Sequence, residues 1–153
     1  MKKTLTHMII LIVVIAIFQY MHMKEPLSPD LDNVELNILS KEITSTSCIY
    51  RVELKNNTST KIVQNEVYFS FPIITQKNGR KLNEMMLSRA RGNKLNIASG
   101  ESIELIVEMP LTGIDPQIYD TKTFHYIIRG FFEKVDDSSA FQIIRQIGAY
   151  EVD

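Results

Sequence analysis

Apolar and polar residues alternate with period two along most of residues 34–153, and this constrains the fold more than any other feature of the 153-residue chain. A strand sends successive side chains to opposite faces, so such alternation predicts half-buried β-strands. Val34, Leu36 and Ile38 alternate with Glu35 and Asn37, and Cys48, Tyr50, Val52 and Leu54 with Ile49, Arg51, Glu53 and Lys55. Val67, Phe69, Phe71 and Ile73 form a third set, which Pro72 ends or confines to an edge because it lacks an amide donor. Ile103, Leu105, Val107 and Met109 form a fourth, and Phe124, Tyr126, Ile128 and Gly130 a fifth. Six or seven strands with one apolar face each predict two packed antiparallel sheets, an all-β sandwich.

The turns support this division. Asn56-Asn57-Thr58-Ser59, Asn78-Gly79 and Asp136-Asp137-Ser138-Ser139 are tight-turn sequences between strands. Two stretches depart from simple alternation. In residues 82–91, Leu82, Met85, Met86 and Ala90 have helical spacing with Gly92 as a stop, which fits a short helix or exposed turn between sheets. A strand over 85–90 fits nearly as well. In residues 141–152, Phe141 and Ile143 lie on one face but Ile144, Tyr150 and Val152 on the other, as expected for cover on both sides or a bulge near Gly148.

The N-terminus has another character. Nine of the eleven residues 8–18 are Ile, Leu, Val or Phe, behind Lys2 and Lys3. Together they favour the bilayer by roughly 3–5 kcal/mol. The wider run, residues 5–23, is interrupted only by Thr6, His7, Gln19 and His22. At 1.5 Å rise per residue it reaches about 28 Å, close to the roughly 30 Å hydrocarbon core. Residues 19–23 contain no small residue to offer a peptidase the Ala-x-Ala pattern, and the single cysteine, Cys48, lies too far on to carry a lipid. Residues 1–23 therefore read as a signal-anchor or transmembrane helix retained in the bilayer, with secretion after cleavage as the alternative. Residues 24–33, carrying Pro26 and Pro29, read as a linker, and 34–153 as one β-sandwich domain. An unpaired cysteine forms no internal bridge, and Cys48 on an alternating strand is expected in the core.

The run Tyr50-Arg51-Val52-Glu53-Leu54-Lys55-Asn56-Asn57-Thr58, then Val67-Tyr68-Phe69-Ser70-Phe71, then residues 95–110 around Ala98-Ser99-Gly100-Glu101-Ser102 resembles the small immunoglobulin-like domains that Gram-positive bacteria export on a lipid or peptide anchor. In those domains a strand ending in Asn-x-Thr/Ser opens a turn, and a Pro-Gly-Glu-Ser-like corner starts a later strand. Here the corner lacks its proline. The resemblance spans about residues 34–128 and implies an immunoglobulin-like fold outside the cytoplasmic membrane. It supplies no catalytic residues.

Chemistry-bearing patterns are sparse. His125 is the one histidine of the outer domain, and no nucleophile elbow or oxyanion turn accompanies it, so it is expected to be a solvent-facing strand residue. Asp30-Leu31-Asp32-Asn33 opens like a calcium loop, but Glu35 stands where glycine is needed and Lys41 where a bidentate glutamate is needed. No zinc cluster or glycine-rich phosphate loop is present. The expectation is a non-enzyme without cofactors or metals.

Charge is segregated. Residues 76–94 hold Lys77, Arg80, Lys81, Arg89, Arg91 and Lys94 against Glu84 alone, a balance of +5, whereas from Lys24 onward fifteen basic residues face eighteen acidic ones. A basic loop on an acidic sandwich is either a long exposed connection solvated by its own charges or a segment that meets an anion: lipid head groups, a phosphate-bearing wall polymer or an acidic partner protein. On a strand Arg89 and Arg91 point the same way, which suits phosphate. Nucleic acid is not expected, since the aromatic residues follow the core pattern. These features predict a membrane-tethered module that binds or scaffolds through exposed loops. The alternative is an inhibitor of an envelope enzyme using residues 114–119, stiffened by Pro116.

Overall fold

The computed structural model describes residues 30–76 and 79–148. The apolar run 5–23, linker residues 24–29, Lys77, Tyr150 and Val152 lie outside them. Among the described residues no helix is long and apolar enough to cross a membrane.

The domain is all-β, with antiparallel sheets forming a sandwich. Its strands are β1 (Val34–Ile43), β2 (Ser47–Asn56), β3 (Ile62–Ser70), β4 (Ile73–Ile74), β5 (Arg80–Lys81), β6 (Ser88–Arg89), β7 (Ser102–Pro110), β8 (Phe124–Phe132) and β9 (Ala140–Ile147). One sheet has the order β1-β2-β7 and the other β6-β3-β8-β9, with β4-β5 a separate hairpin. The two main sheets thus contain seven strands.

Alternation locates the core. Val34, Leu36, Tyr50, Val52, Leu54, Leu105, Val107 and Met109 point from the first sheet onto Ile62, Val67, Phe69, Phe124, Tyr126 and Ile128 of the second. Tyr50 centres an aromatic cluster across the interface, 5.6 Å from Phe69 and 4.8 Å from Phe124, which stack on each other at 4.6 Å. Such pairs add about 0.5–1.5 kcal/mol each beyond the area they bury. Cys48 is buried beside Tyr50, whose hydroxyl pKa is pushed up by burial and by a hydrogen bond with that thiol.

Both sheets run the same way between two ends. At one end the chain enters through the 3-10 turn Leu31–Asn33, capped by Asp30 Oδ1 on the Asp32 amide. Buried Asn56 organises this end: its Nδ2 reaches the carbonyls of Thr60, Ile97 and Ala98 at 2.8, 3.1 and 3.2 Å, and its Oδ1 accepts from Thr58 N and Oγ1 at 3.2 and 2.7 Å. The opposite end carries the β1–β2 turn, the β4–β5 hairpin and residues 111–123. Strands of nine or ten residues put these ends about 30 Å apart.

Residues 82–91 form no helix. Asn83 Oδ1 captures the Met85 amide, Ser88–Arg89 pairs with β3, and Ala90 N donates to Val67 O. The unpaired edge of β3 supplies ladder partners that a surface helix would leave unused, so the edge-strand alternative prevails. Through residue 147 the last strand keeps one phase, with Phe141 and Ile143 buried and Ile144 exposed. The register shifts fall instead at Leu39 in β1 and Val63 in β3. His125 is 8% exposed rather than solvent-facing: β8 is an inner strand, and both of its faces are buried from Phe124 to Ile128.

Candidate functional site

The expected basic segment does not protrude as a loop. It descends one edge of the sandwich and crosses between the sheets. Ser88 and Arg89 pair with Phe69 and Tyr68 of β3, while two residues on Arg91 exchanges two backbone hydrogen bonds with Ile106 of β7, at 2.8 and 3.0 Å. Gly92 makes the exit possible, with φ +96° and Glu104 O only 3.0 Å from where a Cβ would stand. The crossing brings Arg89 and Arg91 to one open groove of about 410 Å³, which Thr46, Ser47, Glu108 and Pro110 complete. It lies along the upper half of the edge, toward the end remote from Asp30.

The carboxylates around the segment come from distant sequence. Arg89 pairs with Glu66 at 2.7 Å, Arg91 with Glu108 at 3.0 Å, and Lys94 with Glu101 at the entry end. Arg80 Nε meets Asp120 at 2.5 Å near the opposite end, and Lys81 is exposed on β5. Among the described residues the basic side chains are therefore spread over the height of the domain, and of these Arg89 and Arg91 share a cleft. The +5 counted along the sequence is largely offset in space.

Glu66 also accepts from Tyr68 Oη at 2.7 Å, which raises the Tyr68 pKa, and the Arg129 guanidinium lies 5.9 Å from the centre of that ring. This network fixes the Glu66 carboxylate and with it Arg89. One ion pair leaves each arginine fork with further N–H donors. The groove can therefore hold an oxyanion by hydrogen bonds, but it contains no nucleophile paired with a base. Asp120 behaves as a structural carboxylate. Burial pushes its pKa up, but Arg80, the Lys122 amide and the Thr123 hydroxyl together hold it below the usual range.

Elsewhere, His125 lies apart from this groove, with Nδ1 unpartnered and its pKa lowered by burial. Residues 114–119 form a compact turn in which Asp115 O accepts from both Ile118 and Tyr119 amides, and Ile118 O accepts from Ile74. No group of three or more possible metal ligands occurs among the described residues.

The chain matches no protein-family model and no curated protein. It is similar to two crystal structures of a β-glucosidase from Kluyveromyces marxianus. For the complex with glucose, identity is 20%, covering 74% of this chain and 14% of that one, with TM-score 0.34. For the selenomethionine-labelled enzyme the values are 16%, 76%, 14% and 0.33. The match thus spans about a seventh of the enzyme's length, and likeness at this level carries no argument about fold or activity.

Sequence reasoning singled out Arg89 and Arg91, which line one groove although they pair with different sheets. It missed Glu66, Glu108, Thr46 and Ser47, which join them only through sheet pairing. The alternation of strands 47–56 and 102–110 was the available signal, since their pairing puts Ser47 opposite Pro110.

Proposed function

We propose that this chain is a single-pass membrane protein, anchored through residues 5–23, that presents an immunoglobulin-like sandwich outside the membrane as a binding module. The observation that carries the reading is the convergence of Arg89 and Arg91 on one groove in the half of the domain remote from the anchor. The sheet order supports the immunoglobulin-like reading. Counting the seven strands of the main sheets, the first, second and fifth form one sheet, and the third, sixth and seventh form the other with the fourth on its edge.

Geometry narrows the partner. Linker residues 24–29 reach at most about 20 Å, so the entry end sits nearest the bilayer. That end carries Asp30, Asp32, Glu101, Glu133, Asp136 and Asp137 against Lys61, Lys94, Lys134 and the Arg145 that pairs with Asp32, an acidic excess that anionic head groups repel. The groove faces away from the chain's own lipid. Its partner is accordingly an anionic wall polymer or an acidic envelope protein, bound through guanidinium hydrogen bonds.

Co-sedimentation with wall fragments tests this. The double variant Arg89→Glu/Arg91→Glu is expected to lose at least tenfold in retention, and stripping phosphate polymer from the fragments should do the same for a polymer partner and leave retention intact for an acidic protein. Undiminished retention of the folded variant would refute the groove as the contact.

A further inference from the structure

Beyond the groove, at the same remote end, is a smaller cavity of about 130 Å³ walled by Phe71, Met86, Leu87, Met109 and Ile114 with Asn83. Pro110 borders both spaces. Asn83 is 2% exposed; its Oδ1 is engaged by the Met85 amide and its Nδ2 has no hydrogen-bond partner. Because Met85 N fixes the carboxamide orientation, flipping the amide would unpair Met85 without satisfying the donor. Leaving an amide donor buried and unpaired costs about 1–3 kcal/mol, which an acceptor oxygen entering here would remove.

Size defines the guest. Ligand sites for whole small molecules occupy roughly 300–1,000 Å³, and this cavity is well below that. An apolar cavity of about 150 Å³ takes one benzene ring. The match is to a single leucine- or phenylalanine-sized side chain. The lining fits a polypeptide guest: Met86, 38% exposed, is unbranched and polarizable, the type of side chain that reshapes around another's apolar group.

We propose that the cavity is a socket for one apolar side chain of a partner protein, with the guest's neighbouring main-chain carbonyl accepting from Asn83 Nδ2. This rests on the reading of the domain as a displayed binding module, and gives that module a second contact of different chemistry beside the arginine groove.

The experiment uses the full chain in lipid nanodiscs with ¹³C-labelled methionine methyls. The probe is N-acetyl-phenylalaninamide, with N-acetyl-alaninamide as control. Saturable shifts are expected at Met86 and Met109 with the phenylalanine probe and none with the alanine probe. Asn83→Leu is expected to weaken the probe about tenfold, and Leu87→Phe, which fills the cavity, to abolish the shifts. No saturable shift in the wild type, an equal response to the alanine probe, unchanged affinity in Asn83→Leu, or persistent binding in Leu87→Phe each overturns the proposal. If Asn83→Leu does not fold, the wild-type titration and Leu87→Phe decide. Wall-fragment retention of the same wild-type preparation is scored separately. Loss of the probe response with intact retention removes the socket alone, whereas loss of retention with an intact probe response removes the arginine-groove reading.

Discussion

Asn56→Ala should be among the most damaging single substitutions in the domain, and the structure gives its size. The wild-type carboxamide is fully buried and bonded at both ends. After truncation the groups around it fare differently. Ile97 O keeps the Ile62 amide at 3.0 Å, and Ala98 O keeps the Glu101 amide at 3.1 Å. The Thr58 hydroxyl can turn fully to Thr60 O, already 2.8 Å away. The Thr58 amide, whose acceptor is Asn56 Oδ1, has no such substitute. One buried orphan donor costs about 1–3 kcal/mol, and the loss of the carboxamide's own N–H bonds adds about 1 kcal/mol in all because their acceptors keep other partners, so the total is about 3 kcal/mol. For a domain of this size that is roughly 10–15 °C in Tm. Asn56→Asp sharpens the test. It keeps the acceptor for Thr58 but sets a carboxylate oxygen against three carbonyls, which disfavours the ionised form and raises the folded-state pKa. Its stability should therefore fall as pH rises above the unfolded value of about 3.9, and at pH 7 it should melt below Asn56→Ala. Thermal denaturation followed by circular dichroism at pH 4 and pH 7 measures both. An alanine variant within about 3 °C of wild type, or an aspartate variant equal to wild type at pH 7, would refute the reasoning.

Two other tests address the second sheet. A Cβ at Gly130 would stand 2.5 Å from Gln64 O and 2.8 Å from the Phe141 ring, so Gly130→Ala should force β3 and β8 apart and cost about 2–3 kcal/mol, read as a lowered urea midpoint; an unchanged midpoint would show that the strands yield freely. Burial depresses the His125 pKa below its unfolded value of about 6.5, so its contribution is fully present above pH 6.5 and is lost as pH falls toward the folded value. His125→Gln should accordingly show a smaller Tm difference between pH 7.5 and 5.5 than wild type, and an identical difference would show that His125 titrates normally.

What could be read from the chain was what depends on neighbours in sequence. The alternations of residues 47–56 and 102–110 specify strands and inward faces without reference to anything else, and the structure has them as β2 and β7. Asn56 to Ser59 and Asp136 to Ser139 likewise announce turns through their own side chains. The rest depends on pairing partners far away. Leu82, Met85, Met86 and Ala90 have helical spacing, yet the Val67 carbonyl and the free edge of β3 take that segment instead. His125 looks exposed until β8 is known to lie between β3 and β9. A charge count along residues 76–94 misses Glu66, Glu101, Glu108 and Asp120, which lie outside that window and offset four of the five positive charges it predicts. The cavity beside Asn83 is made by residues from four separate stretches and has no linear signature.

The crossover at residues 88–92 makes the domain behave like a book with a spine. Covers that share hydrogen bonds along one side must open from the other, where β1 faces β9 and the Asp32–Arg145 ion pair spans the gap. Breathing motions of this protein should therefore be lopsided: amide hydrogens of β9 exchange before those of β6 and β7, and a partner gripping the spine would hold a part of the molecule that scarcely moves.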